Sequence, residues 1–306
     1  MPQQHPPPTL GQRRLIVSAD DFGMSAGVNA GILAAHRDGI LTDASLMVAG
    51  AATADAVALA RSTPSLSVGL HLALVQGRAS SDPRDIPGLV DTAGMFPNHS
   101  VLAGMRYFFL PQVRAQLETE IGAQLDRFLG TGLLLSHVDG HLNMHIHPTV
   151  LAILLRMAPR YGIRAIRLPR EPWRISLRLD PRARRRKLVE AAIFGALAHY
   201  AVPRLAAHGI RSPDQLFGLH QSGHVDERYW LGVLSALPAG VTEIYSHPAR
   251  LDAEARRWRP PDYEAEAELR ALTSSSVREA LAAAGIARIS YRDLDRSPAP
   301  QTGPRG

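Results

Sequence analysis

Short apolar runs alternate with helix-like stretches along most of this 306-residue chain. Residues 112–128 repeat an apolar side chain every three or four positions, which predicts a helix with one buried stripe. Strands that alternate with helices indicate a parallel sheet. Their number favours an α/β, single-domain (β/α) barrel-like fold of distorted TIM type over an open sheet. The predicted strands cover residues 15–19, 41–48, 66–72, 133–138, 165–168, 241–246 and 288–291, and residues 78–111 predict an elaborated loop.

Both ends of the chain lack this alternation. Residues 1–13 are rich in proline and predict a disordered N-terminal arm, residues 296–306 predict a second disordered tail, and the barrel domain would occupy residues 14–295. Neither the apolar core of a signal peptide nor a run of about 18 apolar residues is present, so we predict no membrane-spanning helix. We expect a cytoplasmic protein that can contact the inner membrane face peripherally.

The residue types available restrict the chemistry. The chain contains no cysteine, which excludes disulfides, thiolate zinc sites and cysteine nucleophiles, so any metal must be bound by His, Asp or Glu. No Gly-x-Ser-x-Gly turn is present, which disfavours a Ser/His/Asp triad. The phosphate-binding GxxxxGK[ST] loop and the dinucleotide-binding GxGxxG motif are also absent.

Four predicted strands end in side chains that can bind a metal or transfer a proton. Asp20 and Asp21 follow the first strand, His71 ends the third, a histidine-rich segment at residues 137–147 follows the fourth, and His247 ends a late strand. In a (β/α) barrel the carboxyl ends of all strands lie on one face, where active sites are found. These residues are therefore predicted to converge on a hydrolytic metal site.

The first two groups allow more than one interpretation. Adjacent carboxylates on an extended strand point to opposite faces, so Asp20 and Asp21 would differ in role, one binding a metal and the other acting as a base. Alternatively, one of them caps the following helix. His71, taken alone, could be a packed core histidine.

The histidine-rich segment offers more groups than one ion needs. His137, Asp139 and His141 alternate and would share one face of an extended strand, either as ligands or as one ligand with an orienting partner. His145 and His147 precede a proline and suit the first turn of a helix. An open catalytic site uses about three protein ligands, so some of these side chains must be structural.

The motifs together resemble the YdjC/ChbG family of carbohydrate deacetylases. The resemblance rests on residues 19–23 (ADDFG), 69–72 (GLHL), 137–147 and 243–248 (EIYSHP). Residues 38–42, 45–50 and 161–169 resemble the hopanoid-biosynthesis-associated branch of that family. The resemblance implies a barrel-like deacetylase fold and a divalent metal ion, Mg or Zn. It also implies removal of an acetyl group from an N-acetylated amino sugar, here N-acetylglucosaminyl hopanoid lipid rather than a free chito-oligosaccharide.

Roles follow from the resemblance residue by residue. Asp21, His71 and His141 match the family's metal ligands, and Asp20 matches its base. His247 aligns with the late motif histidine, as general acid or as a hydrogen-bond partner of substrate. The remaining candidates would orient a ligand or contact substrate; they are His137, Asp139 and His145.

The chain also departs from the family pattern at two places. Leu142 and Asn143 stand where many relatives have further histidines, and Ala249 stands where a glycine is frequent. Neither change removes a proposed ligand, but both bear on substrate preference.

Two other functions fit the same residues. A metal-dependent phosphoesterase would use arginines to grip phosphate and would need two metal ions, with His145 and His147 as the additional ligands. A non-catalytic carbohydrate- or lipid-binding protein would retain only a vestigial site.

The net charge of +6 is concentrated in one segment. Residues 156–187 contain 12 basic and 2 acidic residues, but no interleaved stacking aromatics and no nucleic-acid motif, so we expect no nucleic-acid partner. The segment is either a solvated arginine-rich surface or a membrane contact. In the second case Arg184, Arg185 and Arg186, which precede an apolar stretch at residues 188–202, would contact an anionic membrane.

Overall fold

A computed structural model of the protein describes residues 12–296. The predicted arm and tail therefore lie almost entirely outside the described residues. The boundary at residue 13 needs one correction, because Arg13 already begins the first strand. Arg13 pairs with Gly240 of a later strand. Its proline-rich sequence context predicts the arm, but this backbone pairing places it in the sheet.

Nine strands are found among the described residues. They are β1 (Arg13–Phe22), β2 (Asp43–Leu46), β3 (Ser67–Leu72), β4 (Gly77–Arg78), β5 (Met95–Phe96), β6 (Val138–Gly140), β7 (Gln215–Phe217), β8 (Gly240–Ser246) and β9 (Ala287–Arg288). Seven of them form one parallel sheet with the order β6-β3-β2-β1-β8-β7, and β9 pairs with β1. The short strands β4 and β5 form a separate antiparallel pair.

Eleven α-helices cover this sheet within the described part of the chain. They are α1 (Ala26–Arg37), α2 (Thr53–Ser62), α3 (Ser100–Phe109), α4 (Pro111–Gly130), α5 (Pro148–Tyr161), α6 (Trp173–Leu179), α7 (Arg184–Ala207), α8 (Glu227–Ala236), α9 (Ala253–Trp258), α10 (Ala265–Thr273) and α11 (Ser275–Ala283). The starts of several helices follow from sequence. Ser25 and Asp226 accept hydrogen bonds from backbone N–H groups in the first turns of α1 and α8, and prolines open α4 and α5.

Helix α7 is attached to the rest of the domain at its start. Lys187, the only lysine in the sequence, is 2% exposed. Its Nζ donates hydrogen bonds to the backbone oxygen and Oδ2 of Asp180, both at 2.9 Å, and to Oε1 of Gln221 at 3.2 Å. The remainder of α7 is largely exposed, since its buried residues are Lys187, Ala198, Ala201 and Leu205.

The parallel sheet is curled, which agrees with the predicted barrel-like fold. Isolated parallel bridges join Val138 to Ile166 and Ala165 to Arg211, and they continue the pairing beyond β6. The predicted strand at 165–168 is thus reduced to bridges, and the strand predicted at 133–138 is regular only from Val138 onward. The eight regular strands of a full TIM barrel are not present in residues 12–296.

Alternate residues of β1 face different environments. Leu15, Val17 and Ala19 belong to the main apolar core. Ile16 belongs to a second, smaller cluster with Val241 and Tyr291 among others. Because strand side chains alternate, Ser18 and Asp20 lie on the same side as Ile16, inside the curve of the sheet. The interior therefore changes from apolar to polar along β1, toward its carboxyl end.

Candidate metal and active site

The curled sheet brings the carboxyl ends of β1, β3, β6 and β8 to one end of the domain. Register pairs place His71 of β3 beside Asp139 of β6, and Ala19 of β1 beside Ser246 of β8. Two clusters of possible metal-ligand side chains lie there within the described residues. One cluster is Asp21, His71 and His141, and the other is Asp20, His71 and Asp139.

The first cluster has the arrangement expected of a metal site. Oδ1 of Asp21 lies 3.6 Å from Nε2 of His71 and 3.3 Å from Nδ1 of His141. This oxygen is buried and has no hydrogen-bond partner. The other ring nitrogens are engaged: Nδ1 of His71 lies 2.9 Å from Oδ1 of Asp139, and Nε2 of His141 lies 3.1 Å from Oε1 of Gln76. Since these acceptors hold the ring protons, a lone pair of each imidazole is left toward Asp21, and the three residues fit a divalent ion.

The electrostatics of this cluster also favour a cation. Although burial disfavours the charged imidazole, the carboxylates of Asp139, Asp20 and Asp21 raise the pKa of His71 to about 9. Burial works against the ionised carboxylate of Asp21 too, but the adjacent imidazole of His141 lowers its pKa well below the usual value. These carboxylates therefore favour positive charge at the cluster, either as a proton on His71 or as a bound cation.

Asp20 and Asp21 reach the same site despite being adjacent on β1. The β1–β2 pairing shifts register between Ala19 and Phe22, and Asp21 has a left-handed φ of 68°. This conformation costs an ordinary residue about 1–2 kcal/mol, and it breaks the alternation that would separate the two side chains. Neither aspartate caps the following helix, since Ser25 has that position.

Arg167 is the central charged group of the second cluster, and the sequence patterns did not single it out. Its guanidinium holds Asp20 through two hydrogen bonds of 2.7 and 2.8 Å. It also lies 2.7 Å from Oδ2 of Asp139 and 2.9 Å from Oε1 of Glu243. Burial opposes the charge, but these carboxylates raise the pKa of Arg167 well above its usual value. Arg167 thus orients Asp20.

Asp139 links the metal cluster to the sheet interior. Besides His71 and Arg167, it accepts a hydrogen bond of 2.7 Å from Ser45 Oγ. Asp139 therefore takes the orienting position beside the ligand candidate His71, one of the two roles considered for it.

His137 and His145 belong to neither ligand cluster among the described residues. The ring of His137 stacks on Tyr291 with 3.9 Å between centroids, and burial lowers its pKa to about 3. Nε2 of His145 lies 2.9 Å from the backbone oxygen of Arg167, and burial lowers the pKa of His145 to about 4. Both are placed to support neighbouring groups as neutral imidazoles.

His247 lies beside the metal cluster, after β8. Its backbone N–H donates to the carboxylate of Glu268, and its backbone oxygen accepts from Arg259 at 2.6 Å. Its Nδ1 is buried without a hydrogen-bond partner, and burial lowers its pKa to about 4. Arg259, which sequence reasoning also missed, lies 3.4 Å from Oδ2 of Asp21 and adds a positive charge at that ligand candidate.

A cavity of about 390 Å³ adjoins the metal cluster at His141 and Gln76. Its walls are mixed: Met24, Met47 and Trp258 are apolar, whereas other lining residues are charged or polar. This volume is within the range usual for small-molecule sites, roughly 300–1,000 Å³.

Comparisons with known proteins show which family the chain is similar to. A family model described as "YdjC-like protein" matches residues 14–283. A carbohydrate deacetylase from Geobacillus stearothermophilus is 32% identical over 284 residues, which cover 92% of this chain and 98% of that protein. A carbohydrate deacetylase from Brevibacillus brevis is 42% identical over 163 residues, and the match spans 52% of this chain and 60% of that relative. A crystal structure from Enterococcus faecalis V583, named as a candidate cellobiose-phosphate cleavage protein, superposes with a TM-score of 0.72 at 26% identity, covering 92% of this chain and 99% of that one.

Proposed function

The chain belongs to the YdjC-like family, and from that membership and the site geometry we propose that this enzyme is a metal-dependent carbohydrate deacetylase. It would hydrolyse the N-acetyl group of an N-acetylated amino sugar. One observation carries the proposal: the buried Oδ1 of Asp21 has no hydrogen-bond partner and lies next to Nε2 of His71 and Nδ1 of His141.

Asp21, His71 and His141 would hold the ion. Two imidazoles and one carboxylate suit zinc better than magnesium, which prefers oxygen ligands. When bound, a divalent ion supplies polarisation of the acetyl carbonyl and lowers the pKa of a bound water.

The protein's own groups would move the protons. Asp20, held in place by Arg167, is the base that accepts a proton from the attacking water. The amine leaves well only when protonated, and we assign that proton to His247. Because the pKa of His247 is about 4, its imidazole is neutral in the free protein, and it would pass on to the departing nitrogen the proton that Asp20 has taken from water.

The phosphoesterase alternative has less support. The second cluster could in principle hold a second ion, but Arg167 already neutralises its carboxylates Asp20 and Asp139. His145 and His147, the additional ligands that a two-metal site would need, are in neither cluster found in residues 12–296. The retention of a base, ligands and ligand-orienting groups likewise disfavours a vestigial binding protein.

We further propose that the sugar is lipid-linked, as N-acetylglucosaminyl hopanoid, and that Arg184, Arg185 and Arg186 contact an anionic membrane at its cytoplasmic face. The apolar part of the cavity wall supports an apolar substrate portion. By length and composition alone, α7 could also cross a membrane, and 17% of its most apolar window is buried inside the domain. These arginines are exposed at the start of that helix.

The test is acetate release by the purified, zinc- or magnesium-loaded protein. N-acetylglucosaminyl hopanoid should lose its acetyl mass faster than diacetylchitobiose does. Asp20→Asn should retain metal but lose turnover, which separates the base from the ligands. Phosphate release from sugar phosphates without acetate release, or normal deacetylation by Asp20→Asn, would refute the proposed activity or the assignment of the base, respectively.

A further inference from the structure

Helix α3 exposes an apolar face that the fold does not cover. Val101, Leu102, Met105, Phe108 and Phe109 are between 45% and 77% exposed. Their spacing places them on one side of the helix, whereas Ala103 and Tyr107 are buried on the other. Five large apolar side chains exposed on ten residues form a patch of the kind that marks an interaction surface.

A second exposed apolar face lies on α7, a helix that has two packing partners in common with α3. Both α3 and α7 pack against α5 and against the turn His141–Ile146. On α7 the exposed apolar residues include Leu188, Val189 and Ile193. In the turn itself Leu142 is 44% exposed, and it directly follows the ligand candidate His141. We call the exposed face of α3, Leu142 and the exposed face of α7 the apolar rim.

The charge around the apolar rim is mainly positive. Helices α3, α5 and α7 and the turn at 141–146 contain seven arginines, one lysine and a single acidic residue, Glu190. The arginines are Arg106, Arg156, Arg160, Arg184, Arg185, Arg186 and Arg204. The lysine, Lys187, is buried and paired with Asp180, so it adds no surface charge, and Arg156 pairs with Glu118 of α4. The first turn of α7 has no acidic residue, so its arginines add to the positive end of the helix dipole. Such a surface is complementary to anions.

We propose that the apolar rim inserts into the surface of an anionic membrane while the surrounding arginines bind lipid headgroups. Apolar side chains beside basic ones are what interfacial binding requires. A second copy of this chain is a poorer occupant, because a symmetric pairing would place the same arginines against one another. The inference rests on the proposed function, since it gives the surface by which a lipid-linked substrate reaches the metal cluster.

Insertion can be measured with one label, because the sequence contains no cysteine. Phe109→Cys carrying an environment-sensitive fluorophore should shift to the blue with vesicles of phosphatidylcholine and phosphatidylglycerol, and much less with pure phosphatidylcholine. The matched control is Leu134→Cys, since Leu134 is 68% exposed but lies just before the amino end of β6. Equal shifts at both positions would overturn the proposal. A shift at Phe109→Cys that grows with protein concentration without vesicles would also overturn it, in favour of a second copy.

Activity provides an independent readout. The triple variant Val101→Ser, Met105→Ser, Phe109→Ser should bind anionic vesicles at least about tenfold more weakly and deacetylate vesicle-embedded N-acetylglucosaminyl lipid correspondingly more slowly. Its metal content and its turnover of soluble diacetylchitobiose should match those of the unmodified protein. Vesicle binding equal to the unmodified protein would overturn the inference. If the unmodified protein released acetate from no substrate, the proposed function would be refuted instead. The fluorescence result would still show whether the apolar rim inserts into membranes.

Discussion

Asp21 combines three properties at one residue: a left-handed backbone, a buried oxygen without a hydrogen-bond partner, and two neighbouring imidazole nitrogens. Backbone strain of this kind persists only where the surrounding structure enforces it, and it is concentrated at functional sites. The bulge in β1 therefore has a clear chemical consequence, because it lets consecutive carboxylates serve one site in different roles.

We expect His71→Ala and His141→Ala each to lose bound metal, since each removes one of three ligands. Elemental analysis of protein purified in the presence of zinc measures this directly. His137→Gln is the matched control, because His137 is buried nearby but outside both ligand clusters. Full metal content in His71→Ala would contradict the ligand assignment.

His137 should make the protein less stable in acid. Burial lowers its pKa from 6.5 to about 3, so the folded state binds this proton less readily than the unfolded chain does. The stability that the neutral, buried imidazole of His137 contributes is fully present above about pH 6.5 and is lost as the pH falls toward 3. Between pH 6 and 4, the free energy of unfolding of His137→Gln should therefore fall less steeply than that of the unmodified protein, by about 1.4 kcal/mol per pH unit. Urea unfolding across this range measures the difference, and parallel slopes would show that His137 does not titrate as assigned.

Much of the candidate site could be predicted because its residues end predicted strands. Asp20, Asp21, His71 and His247 occupy such positions, and a parallel sheet brings them together. Arg167 could not be singled out, because Arg164 and Arg170 lie within three positions of it and only the fold distinguishes a buried guanidinium from exposed ones. One signal was available: Arg167 interrupts an apolar run that was itself predicted to be a strand.

At the scale of elements, the packing of β3 against β6 depends on a glycine. A Cβ on Gly69 would lie 2.4 Å from the His137 ring, so no larger residue fits unless that ring moves. The glycine of the Gly-Leu-His-Leu motif is therefore required by packing, two positions before the ligand candidate His71.

Gly69→Ala should lower the free energy of unfolding by at least about 1–3 kcal/mol, the usual cost of overpacking. Gly130→Ala is the control, because nothing lies within 4 Å of the added Cβ. Combining Gly69→Ala with His137→Ala should recover part of the loss, since the smaller side chain vacates the space. Additive losses in this double-mutant cycle would show that the two residues do not interact.

Elements with strong local signals were predicted, and those defined by tertiary contacts were not. The strands β1, β3 and β8 are long, buried apolar runs and lie where expected. Helix α3 was missed inside the predicted loop at 78–111, because its apolar residues are exposed rather than patterned for a core. The sequence of residues 133–137 and 165–168 predicts strands, but these segments form too few backbone pairs with neighbouring strands to be regular strands in the fold.

At the scale of the whole molecule, Arg167 connects distant parts of the curled sheet. Its guanidinium contacts Ser18 and Asp20 of β1, Asp139 of β6 and Glu243 of β8. One buried cation therefore balances carboxylates from three strands in the interior.

Arg167→Leu should destabilise the fold by about 3–5 kcal/mol, because it leaves buried carboxylates without their partner. Urea unfolding should show a lower midpoint, and Arg160→Leu, at an exposed position on α5, should unfold almost as the unmodified protein does. Arg167→Lys retains the charge but not the paired hydrogen bonds, so its unfolding midpoint should lie between those of Arg167→Leu and Arg160→Leu. A stability unchanged in Arg167→Leu would mean that the carboxylates are protonated in the folded state.

The buried position of Lys187 makes the attachment of α7 observable by chemical means. As the only lysine of the sequence, it is the single side-chain amine that acylating reagents can modify, and its Nζ is held by Asp180 and Gln221. Modification must wait until the start of α7 separates from its neighbours. The rate at which peptide mapping detects acylated Lys187 therefore reports how often this helix opens, with and without vesicles, without any substitution in the chain.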